Sequence, residues 1–178
     1  IGDDEWKKLL VRDVKDMILR DRNHPSIVIW GTRANETAND VELYKLTKAL
    51  ANSLDDSRPS SGSMTSTSKK GWDEDVFAFD DYHSAPDGTV AVVPPVEGVP
   101  FIFSEAVGQF NYPAGKGFTL MYRRDAEPKI QQLQALHHAQ VHNVAAFNKR
   151  ICGVIAWCAF EYSSQVNSFN AIKNPGVA

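Results

Sequence analysis

Residues 20–37 read RDRNHPSIVIWGTRANET. The middle of this stretch, Ser26 to Trp30, is apolar enough for a buried strand, and Arg33, Asn35 and Glu36 follow it closely among small neighbours. Functional groups gathered just past the end of an apolar strand are the pattern of a parallel α/β sheet, whose sites lie beyond the strand C-termini. Upstream, Asp3 or Asp4 can cap a helix, and Trp6, Leu9, Leu10, Val14, Met17 and Ile18 recur at spacings of three and four. That periodicity predicts an amphipathic helix through about Arg20. Asn23-His24-Pro25 ends it, because a residue before proline is pushed out of the helical region.

Downstream, Val41, Leu43, Tyr44, Leu46, Leu50 and Leu54 predict a second helix, closed by the turn signal Asp55-Asp56-Ser57-Arg58-Pro59. Strands are expected near 27–30, 60–64, 76–80, 101–104 and 151–159, with a link containing proline and glycine from Ser84 to Val99. Pro128 opens a long helix toward Lys149 that carries Ile130, Leu133, Leu136, Val141 and Val144. Continuous apolar strands alternating with helices indicate a parallel sheet covered on both faces. Polar groups collect past the strand ends: Asn35 and Glu36, Tyr82 and His83, Glu105, then Glu161 and Tyr162. This one-sidedness points to an α/β barrel. A doubly wound sheet would usually carry a glycine-rich phosphate loop, and neither GxGxxG nor GxxxxGK[ST] occurs.

A complete (β/α)8 barrel takes about 250 residues, and this chain has 178. The expected fold is therefore α/β, a (β/α)8 TIM barrel of which residues 1–178 form a single partial catalytic domain. Its remaining strands would belong to the rest of a parent chain, and a barrel lacking them would leave open edges.

The composition, 43% hydrophobic and 23% charged with a net charge of -3, is that of an ordinary globular domain. No block of lysine or arginine offers a nucleic-acid or anionic-membrane surface, and no apolar run reaches the ~20 residues of a membrane span. Cys152 and Cys158 stand in one apolar run, form no CxxC or multi-bridge framework, and are expected to be buried thiols. The sequence begins at Ile1, so localisation is unknown: secreted, periplasmic and cytoplasmic settings all stay open. The oligomeric state, a homo-oligomer included, stays open as well.

Three motifs carry a family resemblance. RDRNHPSIVIWGTRANE (20–36) resembles the fourth-strand signature of glycoside hydrolase family 2, the family of β-galactosidases, β-glucuronidases and β-mannosidases. PFIFSEAVGQFNYP (100–113) resembles the seventh-strand segment that ends in the family's nucleophilic glutamate, and ICGVIAWCAFEYSS (151–164) resembles the eighth strand with its site tryptophan. The resemblance runs in order from about Trp6 to the end. It implies barrel strands four to eight here and accessory β-sandwich domains outside the chain. Two departures stand out. Gly31-Thr32-Arg33-Ala34 replaces the usual Ser-Leu-Gly before Asn-Glu, and Ala106-Val107-Gly108 replaces the Tyr-Ala-His of the best-known β-galactosidases, which removes a site histidine.

Glycoside hydrolysis needs two carboxyl groups flanking the scissile bond. The resemblance implies Glu36 as acid/base and Glu105 as nucleophile of a retaining β-glycosidase, β-galactosides being the foremost substrate class. It further implies that Asn35 binds the sugar 2-hydroxyl, against a plain turn role. Tyr82 is placed to donate to the nucleophile, His83 to bind a hydroxyl, and Trp157 to offer a flat apolar face to the sugar. Arg33 either orients a carboxylate near the site or forms a surface salt bridge. The alternative reading is a catalytically silent sugar-binding or structural barrel fragment, favoured by the altered flanks of both glutamates. An aldolase or isomerase would want a Schiff-base lysine or phosphate loop at a strand end, and neither is found. Within HHAQVH (137–142), His138 and His142 share a helix face, but without the glutamate of HExxH they read as helix-surface residues. Asp80-Asp81 reads as a turn or supporting pair in preference to a cation site. No metal ligands or cofactor are assigned, and a divalent cation bound by strands outside the chain stays open. The expected partner is a carbohydrate substrate, with no nucleic acid and no membrane.

Overall fold

The apolar spacing at the N-terminus produces helix α1, Asp4–Asp21, in a computed structural model that describes residues 2–35, 37–64, 66–83, 85, 89–107, 110–111, 119–120, 128–157, 164–165 and 172–173. The Asp3 carboxylate caps it by accepting the Trp6 N–H at 2.8 Å, and Asp4 and Glu5 in the first turn complement the positive end of the helix dipole. Strand β1 follows as Trp30–Gly31, and helix α2, Val41–Leu54, is capped in the same way by Asp40, which accepts from the Leu43 N–H at 3.2 Å. Val14 and Ile18 of α1 pack with Trp30 and Ala51 into one apolar cluster, edged by Leu10, Met17, Ile27 and Leu54. The Lys7 ammonium reaches the Asp40 carboxylate at 2.7 Å, so the cap of α2 is tied to α1.

The remaining elements are β2 (Ser60–Met64), β3 (Val76–Asp81), β4 (Phe101–Ala106), β5 (Phe110–Asn111), β6 (Thr119–Leu120), α3 (Pro128–Phe147), β7 (Ile151–Val154), β8 (Ser164–Gln165) and β9 (Ile172–Lys173). Hydrogen bonding orders a five-stranded sheet β1-β2-β3-β4-β7, while β5 with β6 and β8 with β9 form separate two-stranded pairs. β1 pairs parallel with β2, Trp30 opposite Ser60, and β2 pairs parallel with β3, Ser61 opposite Val76. The chain divides into two compact units, residues 1–79 with 96–102 and residues 80–95 with 103–178. In the first, the fully buried Phe77 ring lies 4.4 Å from Trp72 and stacks at 5.9 Å on Phe101, centroid to centroid. In the second, Ala106, Val107 and Val141 form a buried cluster with Val90, Val92 and Val154 against it.

Three expectations need correction. The first strand does not begin at Ile27: its ladder starts where the Trp30 N–H donates to the Pro59 carbonyl, and the Ile27 carbonyl is instead taken by Arg58 Nε at 2.8 Å. β2 starts only at Ser60, so the preceding turn stands where a partner strand for 27–29 would have to run. Cys152 is an exposed free thiol, because side chains alternate along β7 and Ile151 takes the buried side. Cys158 lies outside the described residues. The last expected strand, 151–159, is regular only to Val154, although the Ile155 and Trp157 N–H groups still donate to Phe103 and Ala106 carbonyls at 2.9 and 3.1 Å.

The turn between α2 and β2 is organised by Asp55. Its carboxylate accepts from the Ser57 N–H at 3.0 Å and from the Ser57 hydroxyl, pairs with Arg58, and takes the Trp30 indole N–H at 3.0 Å. Arg58 in turn holds the His24 carbonyl, closing the turn onto the break after α1. The Ser57 hydroxyl above all, then Arg58 and Trp30, hold the Asp55 carboxyl well below its ordinary value of 3.8 despite burial. A depressed native pKa contributes stability that is present above the unfolded value and lost as pH falls through the native one. Asp55→Asn should therefore lower the thermal midpoint at neutral pH. The gap between variant and parent should narrow as pH drops below about 3.8, the ordinary carboxylate value. Thermal melts across that range check both.

Candidate active site

Strand β3 delivers two acids at its end, and the alternation of side chains sends them to different partners. Asp80 Oδ1 accepts from the Ser104 hydroxyl at 2.7 Å, joining the ends of β3 and β4. The Asp81 carboxylate is buried: Oδ1 accepts the His83 N–H at 2.9 Å and meets His83 Nδ1 at 2.8 Å, and Oδ2 accepts the Val93 N–H at 2.6 Å. One residue past β3, the Tyr82 hydroxyl donates to Oε2 of Glu105 on β4 at 2.7 Å. Sequence reasoning proposed that contact for Tyr82, and the geometry brings the pair together.

Beyond Glu105 the backbone is held hard. Val107 has φ +66°, a left-handed conformation that a β-branched residue adopts only under compulsion. Such strain costs on the order of 1–3 kcal/mol and persists only where the surroundings over-determine it. Here Val107 is buried against Ala106, Val141 and the valines at 90, 92 and 154. Trp157, half-buried, is anchored to the same place by its N–H on the Ala106 carbonyl.

The first unit holds Arg33 and Asn35. Arg33 is no surface salt bridge. Its side chain and that of Glu74 are 1% and 0% exposed, with Nε on Oε1 at 2.6 Å and Nη2 on Oε2 at 2.8 Å. Arg33 Nη1 donates to Asn39 Oδ1 at 2.7 Å and approaches Met64 Sδ at 3.3 Å. The guanidinium lies 4.3 Å from the Tyr44 ring and 4.5 Å from the Trp72 ring. A Cβ at Gly62 would come within 2.5 Å of Arg33 Cβ, so only glycine lets the arginine stem pass β2. Asn35 is exposed, and nearby the Thr37 hydroxyl donates to the Ala34 carbonyl at 2.9 Å. Glu36 lies outside the described residues.

The histidines of α3 are not uniformly at its surface. His137 is fully buried, His142 is exposed, and His138 is half-buried, burial first and then His142 and His137 pushing its pKa down. Among the described residues no three His, Cys, Asp or Glu side chains are grouped to hold a metal. Two residues that sequence reasoning passed over, Ser104 and Glu74, carry structural bonds here. Only the small polar residue before Glu105, and an acid between Trp72 and β3, could have signalled them.

Comparison with known proteins finds relatives of this chain. Residues 1–85 match the family model described as glycosyl hydrolases family 2, TIM barrel domain. Over 169 residues the chain is 34% identical to a β-galactosidase of Thermoanaerobacterium thermosulfurigenes, covering 92% of this chain and 22% of that protein. It is 31% identical over 168 residues to a β-galactosidase of Thermoanaerobacter pseudethanolicus, covering 92% and 20%. The chain thus spans about a fifth of the length of these relatives. Among solved structures, a GH2 β-galacturonidase from Eisenbergiella tayi bound to galacturonate superposes with TM-score 0.69 at 21% identity, covering 98% of this chain and 34% of that one. A β-glucuronidase from Ruminococcus gnavus superposes with TM-score 0.65 at 22% identity, covering 96% and 32%. At these identities the structural likeness establishes the fold.

The Arg33–Glu74 pair generates a stability test. Arg33→Met would strand a buried carboxylate and should cost about 3–5 kcal/mol, and Arg33→Lys should restore little, since an ammonium lacks the two-pronged planar fork. Adding Glu74→Leu to Arg33→Met should recover most of the loss. Denaturant midpoints of the three variants check this, and a double variant as unstable as Arg33→Met would refute it.

Proposed function

Because the chain belongs to glycosyl hydrolase family 2, we propose that residues 1–178 are the later part of a longer catalytic barrel, strands four to eight, in a retaining β-glycosidase. The observation that carries this reading is the 2.7 Å hydrogen bond from Tyr82 to Glu105. Glu105 ends an apolar strand, and a phenol that donates to it favours the ionised, nucleophilic carboxylate over the neutral acid. In the proposed reaction Glu105 attacks the anomeric carbon as the bond to the leaving oxygen breaks. Glu36 gives its proton to that oxygen. The resulting glycosyl ester of Glu105 is then cleaved by water, which Glu36 deprotonates, and Glu105 leaves as carboxylate. This double displacement retains configuration and calls for carboxyls about 5–5.5 Å apart.

Asn35 is assigned to the 2-hydroxyl, His83 to another hydroxyl and Trp157 to the sugar's apolar face. β-Galactosides are the favoured substrates, supported by the name that both bacterial relatives above carry. Ala106-Val107-Gly108 stands where the best-known β-galactosidases have Tyr-Ala-His, so galactose recognition on this reading rests on groups other than that histidine.

The roles of the glutamates separate kinetically. In the full-length enzyme, Glu105→Gln removes the covalent step and should abolish turnover of every substrate. Glu36→Ala removes only proton transfer, so an aryl glycoside with an activated leaving group should still form the glycosyl-enzyme. Azide, which needs no general base, should then restore turnover and yield the β-glycosyl azide. Rescue of the Glu105 variant with inverted product would reverse the assignment, and no response in either variant would sink it. Trp157→Ala should lower kcat/KM about 10- to 100-fold, the loss of one stacking face worth on the order of 1–3 kcal/mol. Unchanged kinetics would assign Trp157 to packing alone.

A further inference from the structure

Residues 83 and 85 bond to residues 89 and 91 with a regular spacing. The Ala85 N–H donates to the Thr89 carbonyl at 2.8 Å and the Ala91 N–H to the His83 carbonyl at 3.1 Å. Each step outward moves two residues along both arms, so the next pair in this register is Asp81 with Val93. There the Val93 N–H finds the Asp81 side chain instead of a main-chain carbonyl, at 2.6 Å. The carboxylate thus continues the spacing, and it is fixed from both sides, because its other oxygen takes the His83 N–H. Residues 89–93 are seated independently: Val90 and Val92 pack against the buried cluster of Ala106, Val107 and Val141, whose first two members follow Glu105.

The exposures of the two side chains are opposite. The Asp81 carboxylate is 0% exposed and the His83 ring 61%. Asp81 has no surface with which to meet a substrate, and every group it contacts must bring a hydrogen, since a carboxylate only accepts. Oδ1 at 2.8 Å from Nδ1 therefore selects the ring form with the proton on Nδ1, leaving Nε2 of a neutral ring as an acceptor. His83 follows directly on Tyr82, whose hydroxyl holds Glu105.

We infer that Asp81 is a positioning residue of the glycosidase site: it sets the tautomer and direction of His83, so that Nε2 accepts from a hydroxyl of the bound sugar, and it ties that ring to the main chain at Val93. The inference rests on the reading of Glu105 as nucleophile given above. An amide at Asp81 would have one accepting oxygen where the carboxylate uses two, so either Val93 or His83 would face a second donor. The same exchange in a Ser-His-Asp triad leaves geometry intact but imposes the wrong tautomer.

The test uses the full-length enzyme with Asp81→Asn, His83→Ala and the double variant. Kinetics are measured on the aryl β-glycoside it turns over best and on the monodeoxy congeners of that sugar. His83→Ala should lower kcat/KM about tenfold and erase the penalty for deleting one particular hydroxyl. Asp81→Asn should erase the penalty for the same hydroxyl, and the double variant should be no worse than His83→Ala. Additive losses, or an Asp81→Asn loss equal on every congener, would reduce Asp81 to a structural role and overturn the inference. Should Asp81→Asn fail to fold, nitrogen chemical shifts of labelled histidine in the parent enzyme decide instead: protonated Nδ1 on His83 supports the inference and protonated Nε2 alone refutes it. Trapping the parent with a 2-deoxy-2-fluoro glycoside separates the two readings. A label absent from Glu105 brings down both, whereas a label on Glu105 without the shared hydroxyl signature brings down only the role of Asp81.

Discussion

The first unit is built around one buried cation. Arg33 sits between the rings of Tyr44 on α2 and Trp72 before β3, grips Glu74 with two parallel bonds, and uses its remaining nitrogen on Asn39. The cation cannot be hydrated there, so its stability depends on every one of these partners being in place. Four stretches of chain converge on it: the segment after β1, helix α2, strand β2 through the absent side chain of Gly62, and the turn into β3. A Leu-Gly in this place could not do that. The sequence Gly31-Thr32-Arg33-Ala34 therefore puts a rigid anchor two residues before Asn35, in a segment otherwise made of small residues and turns. Thr32 adds to the anchoring, its buried hydroxyl donating to the Ser61 carbonyl at 3.2 Å while its own carbonyl accepts from Thr47 at 2.8 Å.

The second unit solves the matching problem with an anion. Asp81 gathers three N–H groups, two from the main chain and one from an imidazole, as Arg33 gathers acceptors. Each is a multivalent charged group buried at a strand end, where regular sheet bonding stops and unpaired backbone groups begin. Buried charge is a costly way to stabilise a fold, and replacing it by apolar packing is often neutral or better. Its use here makes sense as a means of fixing direction, because charged hydrogen bonds are short and geometrically narrow. On the proposed function, direction is what these positions need, with Asn35 to be aimed at a sugar and Tyr82 at Glu105.

Helices and strand ends were legible in the sequence because periodicity and punctuation are local. Asp3 caps where expected, Pro25 and Pro59 mark the breaks, and the strands expected at 60–64 and 76–80 are found at 60–64 and 76–81. The contact of Tyr82 with Glu105 was legible because each stands at a strand end, and parallel strand ends converge. Arg33 was left undecided between site and surface, since nothing local to residue 33 reveals that Trp72, Glu74 and Gly62 will surround it. The first strand was read too long for a related reason: Ile27, Val28 and Ile29 look like strand, but Arg58 and the Asp55 turn claim the Ile27 carbonyl. Asp80-Asp81 looked like a single feature, and only the alternation of β3 reveals two carboxylates with separate tasks.

Val107 joins these themes at Glu105. A glycine at that position would adopt φ +66° at little cost, yet the chain carries a β-branched residue there. Burying a valine side chain contributes about 1.5–3 kcal/mol, similar in size to the strain of about 1–3 kcal/mol it must offset. The two nearly cancel, so the valine is not there for stability. What it does is restrict: a glycine would leave the turn after β4 free to sample both hands, whereas Val107, buried in its cluster with Ala106 and Val141, has fewer conformations open to it. The peptide between Ala106 and Val107 is pinned further by the Trp157 N–H. Glu105 is thus bounded on its C-terminal side by a restricted backbone and on its carboxylate by the Tyr82 hydroxyl. If Glu105 is the proposed nucleophile, it gains from both restraints, since misplacement by about 1 Å can cost ~100-fold in rate.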